Sequence, residues 1–501
     1  MRLTAFLLGC ALTVAPQPGL RLSISTWVDA HQKQVLEELV HLLAIPNVAA
    51  DRTNIRRNAE QLRQMLATRG FSAELLETDG NPLVYGELRA PGATRTLLFY
   101  CHYDGQPVDP AAWKQPSPFT PVLRRGRLEE QPATIDPAGV DRVERDWRIY
   151  ARSASDDKSP IVAIVSAIDA LASEGRAPTS NVRIVLDGEE EAGSPSLVPA
   201  IGRYRDKFRA DLMIVLDGPA HSSGRPTVAY GARGILTADL TVFGPTSGVH
   251  SGNYGNWIPN PAQRLATLLA SMKGEDGRVT VAGFYDGIAP LTAEEQAMLK
   301  AVPDTGERML RAFGVAAPEQ AFPDLQQALQ FPTLNVRGLT SAHVGPGART
   351  IIPDRATAAL DLRLVKETRP QELFGKLRAH VERQGFHLVD GEPDAAARAQ
   401  YSRIASLRLT STPTAAFRTS SSDPQARALV AAITRADGAP PVQYRTLGGT
   451  VPISPFIEAL GLPAAIVPLV NFDNNQHEEN ENLRVGALFD GIVTVAAMLE
   501  M

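Results

Sequence analysis

Three short apolar runs constrain this chain more than any other feature. They are Leu97-Leu98-Phe99-Tyr100-Cys101 and the segments 182–186 and 212–216, each bounded by turn residues. A half-exposed strand would place a polar residue at every second position. Runs with little alternation instead suit strands covered on both faces, as in a parallel sheet. Between the first two runs, Pro160 opens a stretch that reads Ile161-Val162-Ala163-Ile164-Val165 and stays apolar to Leu171. Proline is favoured in a first helical turn, and Gly175 supplies a stop. Upstream, Val28, Val35, Leu36, Leu39, Leu42 and Leu43 recur at helical spacing, and a second helix is expected over 54–69. Strand, helix and strand alternate, so the expected class is α/β, a mostly parallel central sheet flanked by helices.

From Gly234 the texture changes. Residues 235–243, 334–339 and 356–365 alternate apolar with polar, helices are expected over 261–272 and 371–384, and 386–389 closes the set. The order β-α-β-β-α-β makes a two-layer α+β unit. Residues 285–330 read as a long loop within it. After Thr419 the first texture returns, with a helix over 423–435 and a strand over 464–470. The expected division is a leader at 1–20, a larger domain in two segments, 28–234 and 413–501, and a smaller domain, 235–412, inserted between them.

The 501 residues are enough for that division, and a net charge of −5 argues against a general nucleic-acid binder, which carries a basic excess. Two cysteines, Cys10 and Cys101, exclude a disulfide scaffold and a cysteine-based zinc site. Any metal must be held by His, Asp and Glu. The first 15 residues, MRLTAFLLGCALTVA, resemble a short secretory signal, and Leu8-Gly9-Cys10 faintly resembles a lipoprotein cleavage box. Export and a cytoplasmic location both stay open. No later run approaches the ~20 apolar residues of a membrane span.

In open α/β sheets, sites form beyond the carboxyl ends of the strands. What stands there is Cys101-His102-Tyr103-Asp104, then Asp187-Gly188-Glu189-Glu190-Glu191, then Asp217. Ser155-Asp156-Asp157-Lys158 precedes the Pro160 helix, and Asn471-Phe472-Asp473-Asn474-Asn475-Gln476-His477-Glu478 follows the last strand. Clustered carboxylates resist ionising unless a cation neutralises them. Imidazole with carboxylate suits zinc, and also cobalt or manganese. Each piece alone has a plainer reading. A histidine after a strand is usually solvated, a Glu run is usually a surface, Asp156-Asp157 before a helix is usually a cap, and Asp217 before Gly218-Pro219 is usually a turn residue. Their shared position gives them joint weight. His31, His41, His380 and His387 fall on helix or strand surfaces and read as structural, while His221 and His343 lie in loops and stay unassigned. His250, in the loop Ser247-Gly248-Val249-His250-Ser251-Gly252, is suited to presenting a donor.

The ordered set of His102-Tyr103-Asp104, Ala151-Arg152-Ser153-Ala154-Ser155-Asp156-Asp157-Lys158, Glu190-Glu191-Ala192-Gly193-Ser194, Asp217, His250-Ser251-Gly252 and His477 resembles the co-catalytic di-zinc amidohydrolases that include carboxypeptidase G, aminoacylase, succinyl-diaminopimelate desuccinylase and carnosinase. The resemblance implies two divalent metal ions per chain, zinc or else manganese or cobalt. It implies that His102 and Asp217 hold one, that Glu191 and His477 hold the other, and that Asp156 bridges them. It implies that Asp104 orients His102 and that Glu190 is the general base, in hydrolysis of the amide bond of a small peptide or related substrate. His250 matches a lid histidine that, in dimeric members, reaches the partner's active site, which implies a homodimer through the inserted lid. Asn335 and Arg363 match lid residues that bind the substrate carboxylate; Gly449 and Thr450 match a glycine-rich loop near the substrate, and Arg445 precedes it.

The sequence departs from the family pattern in three places. Ser159-Pro160 replaces a glycine often found after the lysine, Ser153 stands where a glycine often precedes Ala154, and residues 124–147 form an insert comparable to a hairpin in carnosinase-type members. Within the family the resemblance leans to the dipeptidase branch, with an N-acyl-amino-acid amidohydrolase or carboxypeptidase as the alternative. A non-catalytic binding protein on the same scaffold would require loss of a ligand or the base, and a structural oligomer would not need the acids. Every one of those positions is filled.

Overall fold

The computed structural model describes residues 19–136, 140, 142–303 and 306–501. The leader reading, with Cys10, falls on residues outside these except for Gly19 and Leu20, where the first helix begins. The larger sheet has eight strands, in the order Ser72–Leu76, Leu83–Leu88, Asn181–Asp187, Thr96–His102, Leu212–Val215, Ala464–Ile466, Thr227–Ala229 and Val442–Tyr444. Thr96–His102 runs parallel to both its neighbours, and Ala464–Ile466 runs parallel to Leu212–Val215. Leu83–Leu88 is antiparallel to Asn181–Asp187, so the sheet is mixed with a parallel centre.

The apolar runs behave as their composition demands. Leu97, Phe99 and Cys101 enter the core on one face of the sheet, whereas Leu98 and Tyr100 enter the core on the other. All five are fully buried. Each large apolar side chain so placed contributes roughly 1.5–3 kcal/mol, so neither face of this strand tolerates a polar residue cheaply. The first face is covered by Leu20–Leu43, Arg52–Ala67, Lys158–Ser173, Pro424–Asp437 and Val485–Leu499; the second by Leu197–Tyr204 and Ser454–Leu460. Asp423 caps its helix by accepting from Gln425 N and Ala426 N, and Gly438 ends it at positive φ. The buried Lys158 Nζ donates to Leu42 O and Ile45 O, which ties the end of the first helix to the start of the third.

A second sheet of five strands has the order Thr333–Thr340, Arg355–Leu364, Gly234–Phe243, Ile404–Leu409 and His387–Leu388. Arg355–Leu364 alternates buried and half-buried residues, and helices Pro261–Ala270 and Pro370–Arg383 pack on its apolar side. This is the two-layer α+β unit read from the alternation, with one strand added. Ile404–Leu409 escapes the pattern because its apolar character and its burial part company: Ile404, Ala405 and Leu407 are buried, while Leu409 is 43% exposed. Residues 285–330 are a correction, since Ala293–Ala301, Gly306–Phe313 and Leu325–Ala328 are helical. They are short and bury few residues, which leaves little periodicity to read, although Thr292 and Glu295 form a capping box. His380 is also corrected: it is buried and its Nε2 lies 2.9 Å from Ser271 Oγ.

The two sheets are linked by the antiparallel pair Gly231–Ala232 and Phe417–Arg418. A Cβ at Gly231 would collide with Phe417 O, and one at Gly234 with Thr414 O, so the crossing strands approach this closely only through glycine. The 124–147 insert belongs to a four-stranded sheet, in which Val122–Arg124 pairs with Thr134–Ile135 and Arg148–Tyr150, and the last pairs with Asn482–Arg484. No helix among the described residues is long and apolar enough to cross a membrane.

Candidate metal centre

Parallel strands place their carboxyl ends on one edge, and that edge collects the acids. Thr96–His102 delivers His102 as its last residue, Asn181–Asp187 leads into the short turn Glu190–Ala192, and Leu212–Val215 ends two residues before Asp217. Asp156 lies just before Lys158–Ser173, and His477 follows the bridge between Pro219 and Val470. Four of these loops meet because they follow the parallel strands at the centre of the large sheet; the Asp156 loop instead arrives from Arg148–Tyr150 of the four-stranded sheet.

His102 Nε2 is 2.9 Å from Asp156 Oδ1, and His477 Nε2 is 3.1 Å from Asp156 Oδ2 and 3.6 Å from Glu191 Oε2. One ligand atom each from His102, Asp156 and Asp217 lie within 4.8 Å of one another, as do those of Asp156, Glu191 and His477. Asp156 belongs to both groups. Asp104 Oδ1 lies 3.4 Å from His102 Nδ1, and its two carboxylate oxygens accept from Glu190 N and Glu191 N at 3.0 and 3.1 Å. One buried carboxylate thus orients the imidazole and fixes the turn that carries the two glutamates. Asp157 occupies the cap position of its helix, yet its carboxylate accepts from His102 N instead of capping. The Asp156–Asp157 peptide bond is cis.

The electrostatics are those of carboxylates short of positive charge. Burial, then Asp156 nearby, pushes Glu191 up to about 7; the same two causes bring Asp217 to about 6. Burial, Asp217, Glu191 and Asp156 hold Glu190 well above its usual range, against the pull of His102. The hydrogen bond to Asp156 raises His477 to about 9 despite partial burial. Burial opposes a charge on His102, but Glu190, Asp104 and Asp156 outweigh it and hold the ring well above its ordinary value. Asp156, facing two imidazoles, stays well below the carboxylate range although burial opposes it. Asp217 Oδ1 is buried without a hydrogen-bond partner. A buried, unpartnered carboxylate oxygen beside an imidazole and a second carboxylate is a donor set that fits a hard or borderline divalent cation.

Three further residues shape this site and were not singled out from the sequence. Glu481 is fully buried; it accepts from Ser153 N, Ser155 N, Ser155 Oγ and Asp156 N, and pairs with Arg152 at 2.9 Å. It holds the loop that presents Asp156, and its only sequence signal is its place four residues after His477. Gln106 Nε2 donates to Glu191 Oε2 at 2.6 Å. Asp187 accepts from Tyr100 OH, Ser194 Oγ and Glu189 N beneath the glutamate turn, and burial followed by Asp104 raises it to about 6.

Among the described residues, those expected to meet substrate make their hydrogen bonds outside this cluster. His250 is exposed, and its Nδ1 accepts from Gly252 N. Asn335 is exposed and donates to Asp361 Oδ2. Arg363 Nη1 donates to Thr450 Oγ1 at 2.8 Å, which joins the five-stranded sheet to the glycine-rich loop. Gly449 is exposed beside it. Arg445 is buried and committed elsewhere, with Nε on Glu295 at 2.6 Å and Nη1 on Gln330 at 2.9 Å.

With this geometry in hand, similarity to known proteins is specific. The profile of peptidase family M20/M25/M40 matches residues 98–501. The chain is 25% identical to the human Beta-Ala-His dipeptidase, over 97% of its own length and 94% of the relative's. It is 26% identical to the Cys-Gly metallodipeptidase dug1 of Schizosaccharomyces pombe, over 71% and 74%. Among solved structures, the M20 family metallo-carboxypeptidase Sso-CP2 from Sulfolobus solfataricus superposes with a TM-score of 0.73 at 29% identity, covering 93% of this chain and 98% of that one. Human carnosine dipeptidase 1 shares the fold, with a TM-score of 0.72 at 23% identity over 97% and 99%. The mixed sheet with its acid-lined carboxyl edge and the profile match over four-fifths of the sequence place one conclusion beyond the fold: this chain belongs to peptidase family M20/M25/M40.

Proposed function

We propose that the chain is a metal-dependent dipeptidase that hydrolyses the peptide bond of a small substrate. Its two divalent ions, zinc or else manganese or cobalt, would be held by His102, Asp156 and Asp217 and by Asp156, Glu191 and His477. The observation that carries this reading is Asp156, one carboxylate placed against a histidine on each side. When bound, such ions lower the pKa of water and polarise a carbonyl. The chain's own residues do the rest. Asp104 fixes the His102 ring and the glutamate turn. Glu190, whose carboxyl is held above its usual range by burial and by the neighbouring Asp217, Glu191 and Asp156, takes the proton of the attacking water and passes it to the leaving amine. Glu191 faces His477 and leaves this task to its neighbour.

Arg363, already oriented by Thr450, would bind the substrate carboxylate, since a guanidinium fork matches that group. Asn335, Thr450 and Gly449 would line the same side. Arg445, held by Glu295 and Gln330, supports the loop and leaves the carboxylate to Arg363. His250 would stabilise the developing oxyanion in the partner of a homodimer formed through the lid domain, residues 235–412; what supports this is its exposure and the absence of any described contact to the cluster of its own chain. The leader reading of residues 1–20 is tested by sequencing the N-terminus of the mature protein.

The test is a metal-reconstituted assay that compares dipeptides with N-acyl amino acids and with C-terminally blocked peptides. Turnover that requires both a free amine and a free carboxylate supports the dipeptidase. Preference for an N-acyl substrate with a free carboxylate would replace it with the aminoacylase or carboxypeptidase reading, which the likeness to Sso-CP2 favours.

A further inference from the structure

Behind the His477 loop lies a second cavity, of about 570 Å³, and its lining is of the opposite character to the metal edge. Six arginines and three aspartates face it, in a chain whose net charge is −5. Two of the arginines, Arg225 and Arg308, have no carboxylate partner among the described residues. Arg225 Nη2 donates to Pro440 O, and Arg308 Nη2 donates to Ser222 Oγ at 3.0 Å. Ser222, Ser223 and Gly224 form the exposed turn between them, with Gly224 at a φ of 73°. Arg225 and Arg308 are exposed residues on the same concave, hydroxyl-bearing wall, and guanidinium forks so placed match tetrahedral or planar oxyanions.

The opposite wall is the root of the His477 loop. Arg148 is buried and donates to Asp473 O, Asp473 Oδ2 and Asn482 Oδ1, at 3.1, 2.7 and 2.6 Å. Arg127 also reaches Asp473 Oδ2, at 3.4 Å. Asp473 is thus the internal anion of this wall, and it anchors a loop whose Asn475, His477 and Asn480 all carry positive φ without being glycine. A loop in that conformation keeps its shape only through such anchors.

We propose that this cavity binds a phosphate-class oxyanion, free or as a monoester, at Arg225 and Arg308, and that its occupation competes with Asp473 for Arg127 and Arg148 and so loosens residues 471–482. The binding claim is independent of the metal reading, because none of these arginines touches the acid cluster. The loosening reaches catalysis only if His477 acts as proposed above.

The test uses the full-length metal-loaded protein and the double variant Arg225→Ala/Arg308→Ala, titrated with inorganic phosphate and with glycerol 3-phosphate in calorimetry at constant ionic strength. Phosphate held by the acid-edge metals binds both proteins alike; phosphate held in the cavity is lost with the arginines. The expected result is a binding event in the wild type that is at least ~10-fold weaker in the double variant, with unchanged metal content and melting temperature. Tighter binding of the ester assigns the spare volume to its alcohol, and equal binding assigns the site to free phosphate. Identical titrations of the two proteins, or no binding at millimolar phosphate, would overturn the site. Amide hydrogen exchange across 471–482 should rise with phosphate in the wild type only; unchanged exchange with phosphate bound would overturn the coupling.

Discussion

The acid edge of the large sheet and the donor face of the inserted domain belong to the same proposed reaction, but they are built in opposite ways. His102, Asp104, Asp156, Glu190 and Asp217 are buried, and His102, Asp104 and Asp156 hold one another and the glutamate turn through hydrogen bonds within the chain. His250 and Asn335 are exposed, and their described partners are near neighbours in their own sheet or loop. The edge is held by contacts within the chain, whereas the donor face, on the proposed reading, is completed by substrate and a partner subunit. Preorganised charge in a water-poor site is what makes electrostatic catalysis large, whereas a mobile donor trades strength for access.

The contrast breaks first at Glu190. Glu190→Gln keeps the shape of the edge and its ligands but removes the proton acceptor, so turnover should fall at least ~10²-fold while elemental analysis finds the metal retained. Retained turnover would move the base elsewhere. Next comes Glu481, the carboxylate that presents Asp156. Removing one member of a buried ion pair costs about 3–5 kcal/mol, so Glu481→Ala should lower the melting temperature and weaken metal binding together. If both are unchanged, the edge does not depend on that support. His250→Ala should lower kcat more than it raises KM, and leave metal content and stability intact. A change confined to KM would make His250 a binding residue and shrink the difference between the two regions.

The smallest effect is a pH slope. Asp217 rises from 3.8 to about 6 on folding and Glu191 from 4.5 to about 7. Both acids hold their protons more tightly in the folded chain, so their contribution to stability is full below the unfolded values and declines as pH climbs through the folded ones. His477, raised from 6.5 to about 9, contributes in the same direction at higher pH. The metal-free protein should therefore lose a few degrees of melting temperature between about pH 4 and 7, and saturating zinc should flatten that slope. A metal-free protein that grows more stable over this window would show that the edge is not short of positive charge.

Much of the edge was legible because its residues follow runs whose composition already marks them as buried strands. His102 directly follows Cys101, and Asp217 directly follows Leu216, so reading the strands located the acids. What supports them was not legible. Glu481 meets Asp156 across 325 positions of sequence, and Gln106 meets Glu191 across 85. No local periodicity reports such contacts. The partner of Arg445 was hidden for the same reason, since Glu295 lies 150 residues away in a segment expected to be loop. The short helices of 285–330 bury too few side chains for a helical pattern to appear, and strand Ile404–Leu409 runs from four buried residues to two exposed ones instead of alternating.

The central claim is that Asp156 serves two ions at once. Metal content of the zinc-reconstituted wild type and of Asp156→Ala, measured by elemental analysis after removal of free metal, addresses it directly. Two ions per chain are expected in the wild type and neither tightly retained in the variant. Two ions retained by Asp156→Ala, or a wild type fully active with one, would contradict it.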